Sequence, residues 1–261
     1  MILTKPNHIK IYGHRGARGD LPENTLESFK YLFENKISAY ETDILLTKDL
    51  IPIVYHDFRL NPALTKDSKG NWIENDDIKI FDLNYDQLSK FKIGSIDIKS
   101  KYGRRFDNQK GLGEVNIPKL SHLLKLTSNN ISEDLIINLE IKSTPVEDNL
   151  TPPPNVMANL IIDEVNKTEL KDKVIYSSFD WRVLREIKNI DSKISRGYLT
   201  SELKGKIYDK SPWLDFIPLY DSDSRELPRL IKTLGGEAWH PKRKDINKDM
   251  VKISHEEGLP V

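Results

Sequence analysis

No cysteine occurs in the 261 residues. That absence excludes disulfide frameworks, thiolate zinc sites, iron–sulfur clusters and cysteine nucleophiles together, and leaves oxygen or imidazole as the donors for any metal. Long apolar runs are missing too. The start, MILTKPNHIKIYG, holds no apolar stretch of the roughly 7 to 15 residues that a secretory signal needs, and no run approaches the ~18 that span a bilayer. A cytoplasmic protein without stable membrane insertion is the expectation. An excess of one charge is also lacking, because 40 Lys and Arg balance 40 Asp and Glu. No global field draws such a chain to nucleic acid, so an anionic substrate has to be captured by a local cluster. Internal repeats and low-complexity segments are absent as well.

What is present is an ordinary globular composition, 38% hydrophobic, long enough for two small domains or one large α/β barrel. Short Ile- and Val-rich runs alternate with stretches of helical spacing, the rhythm of βα units around a parallel sheet. The runs are Ile9 to Tyr12, Ser38 to Asp43, Leu50 to Tyr55, Leu135 to Ile141, Val174 to Ser177, Ile194 to Leu199 and Glu237 to His240. Helices are expected at Thr25 to Asn35, with Asn24 and Glu27 spaced as a capping box, at Leu120 to Thr127, and over 156–166, 181–189, 225–234 and 246–257. Between Phe58 and Asn116 the pattern loosens to one helix candidate, Asn84 to Phe91, and glycine-marked turns. This stretch, 58–116, reads as an insertion or small lid within a single domain covering 1–261.

Four runs end in ionisable residues: His14 and Arg15, Glu41 and Asp43, His56 and Asp57, Glu140 and Lys142. In a closed parallel barrel the C-terminal strand ends meet at one face, where such folds place their chemistry. Glu41 and Asp43 are two apart, so on a strand both carboxylates point to one side and repel. A divalent cation resolves that repulsion, and an all-oxygen set completed by Glu140 suits Mg2+ or Ca2+. Arg15 and Lys142 add positive charge fit for a phosphate, and His14 and His56 fit general acid and base.

These residues also carry a resemblance. His14-Arg15-Gly16-Ala17, Pro22-Glu23-Asn24-Thr25, Glu41-Thr42-Asp43 and His56-Asp57 closely resemble the signature of the glycerophosphodiester phosphodiesterases. Ile117-Pro118-x-Leu120, Leu139-Glu140-Ile141-Lys142 and Ser178-Phe179-Asp180 look like that family's later landmarks. The resemblance implies a (β/α)8 TIM barrel with a small insertion after the third strand. It implies hydrolysis of glycerophosphodiesters to glycerol 3-phosphate and an alcohol, with one divalent cation on Glu41, Asp43 and Glu140, acid-base work by His14 and His56, and phosphate held by Arg15 and Lys142. In the mechanism it implies, the glycerol 2-hydroxyl attacks phosphorus and water then opens a cyclic phosphate. Thr42 stands where the family often has an apolar residue, and its side chain is expected to face away from the metal. The resemblance further implies an eighth strand entered at Leu259-Pro260-Val261 and cut short there.

The remaining features read as structural. His8, His122 and His255 are peripheral, and His240, at the end of its strand and within reach of a pocket rim, is expected to have a structural or peripheral role. The basic run Lys99 to Arg105 is expected to be a solvated loop. Gly111-Leu112-Gly113 lacks the flanking strand and lysine of a nucleotide loop. The four tryptophans are expected to pack. Competing readings are a lysolipid or sphingolipid head-group phosphodiesterase or transferase, a non-catalytic barrel, and a carboxylate-pair glycosidase; the last leaves His14, Arg15 and Lys142 without a task.

Overall fold

The structure, a computed structural model, describes residues 9–201, 207–219 and 226–261. Six strands run parallel in the order β1 (Gly13–His14), β2 (Ala39–Leu46), β4 (Ile136–Ile141), β5 (Val174–Ser178), β6 (Arg196–Thr200) and β7 (Ala238–Pro241). The seventh, β3 (Pro52–Val54), is antiparallel to β2, pairing Ile44 with Val54 and Leu46 with Pro52. The helices α1 (Leu26–Glu34), α3 (Leu120–Ser128), α4 (Pro154–Asn166), α5 (Trp181–Ile190) and α6 (Leu227–Thr233) connect the strands, α7 (Lys248–Glu256) follows β7, and the short α2 (Tyr85–Leu88) lies within 58–116. The architecture is a curled α/β half-barrel of the TIM type.

Alternation along the strands explains two separate cores. Outward residues such as Tyr40, Ile44, Ile137, Leu139, Tyr176, Tyr198 and Trp239 join Phe29, Leu32, Leu123, Ile161, Leu184 and Ile187 of the helices in the main cluster. Each such aliphatic side chain contributes roughly 1.5–3 kcal/mol on burial. Inward residues Ala39, Ile136 and Ile175, with Tyr12 against them, close the floor of the barrel. A third cluster, Leu45, Ile53, Tyr55, Leu60, Ile80, Leu88, Ile93 and Ile117, fastens 58–116 to the β2–β3 hairpin.

Local chemistry sets the element ends. The Thr25 hydroxyl accepts from the Ser28 N–H and caps α1, so a simple cap one residue later replaces the capping box expected on Asn24 and Glu27. Asn24 is withdrawn because its side chain serves Asp43 and Thr42 instead. Helix α4 begins at Pro154, earlier than expected, since proline at the first helical position has no N–H to satisfy. The Asp180 side chain accepts from the Arg182 N–H to cap α5, and Asn247 caps α7 through the Met250 N–H.

Two strand expectations are corrected. Ile9 to Tyr12 forms no strand; Ile9 and Ile11 are 98% and 70% exposed, and Lys10 ties the segment to Asp134 and Ser38 at 2.8 and 2.9 Å. The run Leu50 to Tyr55 is not a parallel barrel strand, because a tight turn around Lys48-Asp49 sends it back along β2. At the other end of the sheet the Trp239 N–H donates to the Pro260 carbonyl, which lays the residues after α7 beside β7. His8 and the first residue expected for the 225–234 helix lie outside the described residues.

Candidate active site

The register places Asp43 beside Glu140, with Glu41 one pleat below on the same inward face. Ligand oxygens of Glu41, Asp43 and Glu140 all lie within 4.8 Å of one another, and all three residues are buried against the barrel wall. Glu41 Oε1 and Asp43 Oδ1 are buried without a hydrogen-bond partner. A buried carboxylate oxygen with no partner is costly, and two of them converging in an all-oxygen set fit a hard divalent cation.

Positive charge surrounds the three carboxylates. Lys142, two residues after Glu140 and on the same face of the strand, sets its Nζ 2.6 Å from Glu140 Oε1 and 3.7 Å from Asp43 Oδ1. Arg15 follows β1 in the left-handed region, at φ 57. Its N–H continues the pairing with β2, donating to the Glu41 carbonyl and to Glu41 Oε2, each at 3.0 Å. Its guanidinium lies 3.2 Å from Asp43 and 2.8 Å from Glu23. Gly16 makes the turn possible, because at φ 76 a Cβ would stand 2.5 Å from the Ser28 hydroxyl, which itself accepts from the Ala17 N–H.

The charges divide the carboxylates. Burial, reinforced by Asp43 and Glu140, pushes Glu41 well above the ordinary carboxylate range despite Arg15. Burial would also raise Asp43, but His56, Arg15, Lys142 and the hydrogen bond from Asn24 outweigh it and hold that carboxyl below its usual value. Burial alone would lower Lys142, yet Glu140 and Asp43 raise it, so it stays cationic.

The two histidines reach the cluster by different routes. His14 ends β1, its side chain 57% exposed at the mouth, with Nε2 3.5 Å from Glu41 Oε2. Arg18 Nη2 lies 2.9 Å from His14 Nδ1 and can only donate, which leaves the ring hydrogen on Nε2. Partial desolvation of the ring, despite its exposed edge, and the charges of Arg18 and Arg15 lower His14 to about 4. His56 arrives from the opposite direction, at the end of the antiparallel β3, where the Tyr55 N–H donates to the Asp43 carbonyl. Its Nδ1 is 2.5 Å from Asp57, which is fixed in turn by Asn61 at 2.7 Å. Burial would raise Asp57, but the hydrogen bond and charge of His56 hold it down. His56 therefore exchanges protons through Nε2.

All seven expected site residues stand around one cluster, although only two of the four expected strand ends, at β1 and β4, are ends of parallel strands: β2 runs on to Leu46, so Glu41 and Asp43 sit within it, and His56 follows an antiparallel strand. Sequence reasoning missed several partners. Asn24 donates to Asp43 at 3.1 Å and accepts from Thr42 at 3.0 Å, so Thr42, facing away from the carboxylates, positions the side chain that holds one of them. Glu23 links Arg15 to Tyr102, whose hydroxyl donates to its other oxygen. Pro22-Glu23-Asn24-Thr25 already pointed to Glu23 and Asn24, whereas nothing local marked Arg18 or Tyr102. His240 is inward on β7, with its ring over Gly197 and Nδ1 unpartnered. Burial lowers it to about 4.

A model of the glycerophosphoryl diester phosphodiesterase family matches residues 14–261. A Bacillus altitudinis glycerophosphodiester phosphodiesterase is 26% identical over 209 residues, covering 80% of this chain and 72% of that protein. A human glycerophosphocholine phosphodiesterase is 28% identical over 223 residues, 78% of this chain and 33% of that longer protein. Among solved structures, a candidate glycerophosphoryl diester phosphodiesterase from Silicibacter pomeroyi has a TM-score of 0.87 at 29% identity, covering 99% of this chain and 83% of that one. An Oleispira antarctica phosphodiesterase, solved with its product sn-glycerol-3-phosphate, shares the fold at a TM-score of 0.66 and 21% identity, covering 96% and 82%.

Proposed function

The chain belongs to the glycerophosphoryl diester phosphodiesterase family, and on that premise we propose that it hydrolyses glycerophosphodiesters to glycerol 3-phosphate and an alcohol, as a phosphoric diester hydrolase using one divalent cation. The observation that carries the reading is the pair of unpartnered buried oxygens on Glu41 and Asp43, with Glu140 beside them and cationic Arg15 and Lys142 in contact. Mg2+ or Ca2+ held by these three carboxylates would lower the pKa of a coordinated hydroxyl and offset charge on the phosphoryl group.

The chain's own residues supply the rest. Arg15 and Lys142 hold the phosphate oxygens and stay cationic because Asp43, Glu23 and Glu140 lie against them. As the glycerol 2-hydroxyl attacks phosphorus, Nε2 of His56, whose Nδ1 faces Asp57, takes its proton, and the Nε2–H of His14, whose Nδ1 accepts from Arg18, is donated to the departing alcohol oxygen. Water then opens the cyclic phosphate with the roles reversed. Asp57 keeps His56 oriented throughout, and Arg18 does the same for His14. Residues 58–116 serve as the lid that reads the alcohol. The test is phosphorus NMR of glycerophosphodiester turnover: a transient glycerol cyclic phosphate supports the pathway, and its absence at every time point, with glycerol 3-phosphate forming, refutes it.

A further inference from the structure

We propose that the alcohol moiety of the preferred substrate is itself anionic, bearing a phosphate or carboxylate, and that it is read by a cationic collar in which Arg18 and Arg105 stack on Phe106 beside the mouth and the neighbouring Lys101 and Arg104 of the same basic run add charge. The inference rests on the phosphodiesterase reading above and names the substrate class for that site.

The collar begins at the reacting groups. Arg18 donates to His14 Nδ1 at 2.9 Å, and His14 is the histidine exposed at the mouth. From there the guanidinium stacks outward on Phe106, 5.2 Å from the ring centroid. Phe106 packs on Tyr102 at 5.4 Å, and Arg105 lies 5.5 Å from each of the two rings. The Tyr102 hydroxyl donates to Glu23, which is also the partner of Arg15. The basic run is therefore anchored beside the site through Tyr102 and Phe106, while its lysines and arginines stay exposed, as expected of a solvated loop.

Two features make it selective. Lys101, Arg104 and Arg105 form no ion pair among the described residues, and the only acid in the run after Lys99 up to Lys110 is Asp107. The aromatic faces that would otherwise cradle a quaternary ammonium are taken by guanidinium groups. A cationic alcohol such as choline meets repulsion there, and an anionic one meets the exposed charge of Lys101, Arg104 and Arg105 together with Arg18, which reaches Glu23 only at 4.0 Å.

The experiment compares glycerophosphoinositol 4-phosphate, glycerophosphoinositol and glycerophosphocholine on the full chain with Mg2+ or Ca2+. The expected order of kcat/KM is anionic, neutral, cationic, with the anionic diester favoured at least about tenfold over the neutral one at low salt and the ratio falling as salt rises. The double variant R104E/R105E should lower kcat/KM for the phosphorylated diester far more than for the inositol one and so abolish the preference. Salt dependence of the unmodified chain tests the same charge preference without any variant. Equal kcat/KM for the phosphorylated and neutral diesters, or a ratio indifferent to salt and to charge reversal, overturns the proposal. So does binding to anionic phospholipid vesicles without discrimination among the soluble diesters. Calorimetric Kd values for the same three diesters separate the two ideas: a chain that binds in the expected order but hydrolyses none refutes the phosphodiesterase reading and not the collar.

Discussion

Replacing Glu41 by Gln should make the metal-free chain more stable and the metal-loaded chain less so. Glu41 is buried, its Oε1 has no partner, and its oxygens lie within 4.8 Å of those of Asp43 and Glu140. One like-charge pair at that distance is worth about 3 kcal/mol at an effective dielectric near 20. Arg15, which donates its N–H to Oε2 at 3.0 Å, offsets part of this, so a net gain of about 1–2 kcal/mol is the expectation. For a chain of this size that raises the melting temperature by roughly 2–8 °C. The sign depends on pH. Because the folded-state pKa of Glu41 is raised, the folded chain keeps a proton that the unfolded chain releases, and stability falls as pH climbs from the ordinary carboxylate value towards the folded one. E41Q removes that contribution, so its advantage should appear at pH 8 and vanish at pH 4. Saturating Mg2+ or Ca2+, at about 100 times Kd, adds about 2.7 kcal/mol to the unmodified chain and much less to E41Q, which inverts the order. Thermal melts in chelator and in metal read all of this. A variant that melts lower in chelator at both pH values, or gains as much from metal as the unmodified chain, refutes the reasoning.

Other perturbations follow from single contacts. His240 is held neutral by burial at about 4, below the unfolded value near 6.5. Its contribution is therefore complete above pH ~6.5 and declines by up to about 3 kcal/mol as pH falls towards 4; urea unfolding of H240Q should show a shallower loss between pH 7 and 5, and an unchanged slope would contradict it. Tyr40→Phe removes a buried hydroxyl 2.7 Å from the Thr127 hydroxyl and should cost about 1–2 kcal/mol in denaturant titration while leaving kcat unaltered, since both side chains face the helices. Tyr102→Phe breaks the bond to Glu23 that steadies Arg15, and should raise KM by about threefold to tenfold with the metal-induced rise in melting temperature unchanged. Loss of that metal response would show that Tyr102 acts on the carboxylates instead.

Much of this site was legible because a strand has a period of two. Glu41 with Asp43, and Glu140 with Lys142, had to share faces wherever their strands lay, and the parallel register brought Asp43 against Glu140. Direction was not legible. Three residues, Pro52 to Val54, look alike whether a strand runs up or down, and only pairing with β2 shows that His56 enters through a hairpin. The capping box misled because Asn24 had two competing uses, and the carboxylate of Asp43 took it from the helix end. Ile9 to Tyr12 reads as a strand from its apolar alternation, yet a strand needs a neighbour, and this segment pairs with none among the described residues. Arg18 and the Lys99 to Arg105 run lie about eighty residues apart. Their meeting at Phe106 and Tyr102 is a matter of tertiary docking on which local composition is silent.

The central claim is that Glu41, Asp43 and Glu140 hold a cation on which glycerophosphodiester hydrolysis depends. Release of glycerol 3-phosphate from glycerophosphoinositol and glycerophosphocholine, measured by an enzyme-coupled assay with metal, with chelator and with the Glu41→Ala variant, addresses it directly. Release that disappears in chelator, returns with Mg2+ or Ca2+ and is absent from the variant is the expected result. Release that persists in chelator, or in the variant at an undiminished rate, would contradict it.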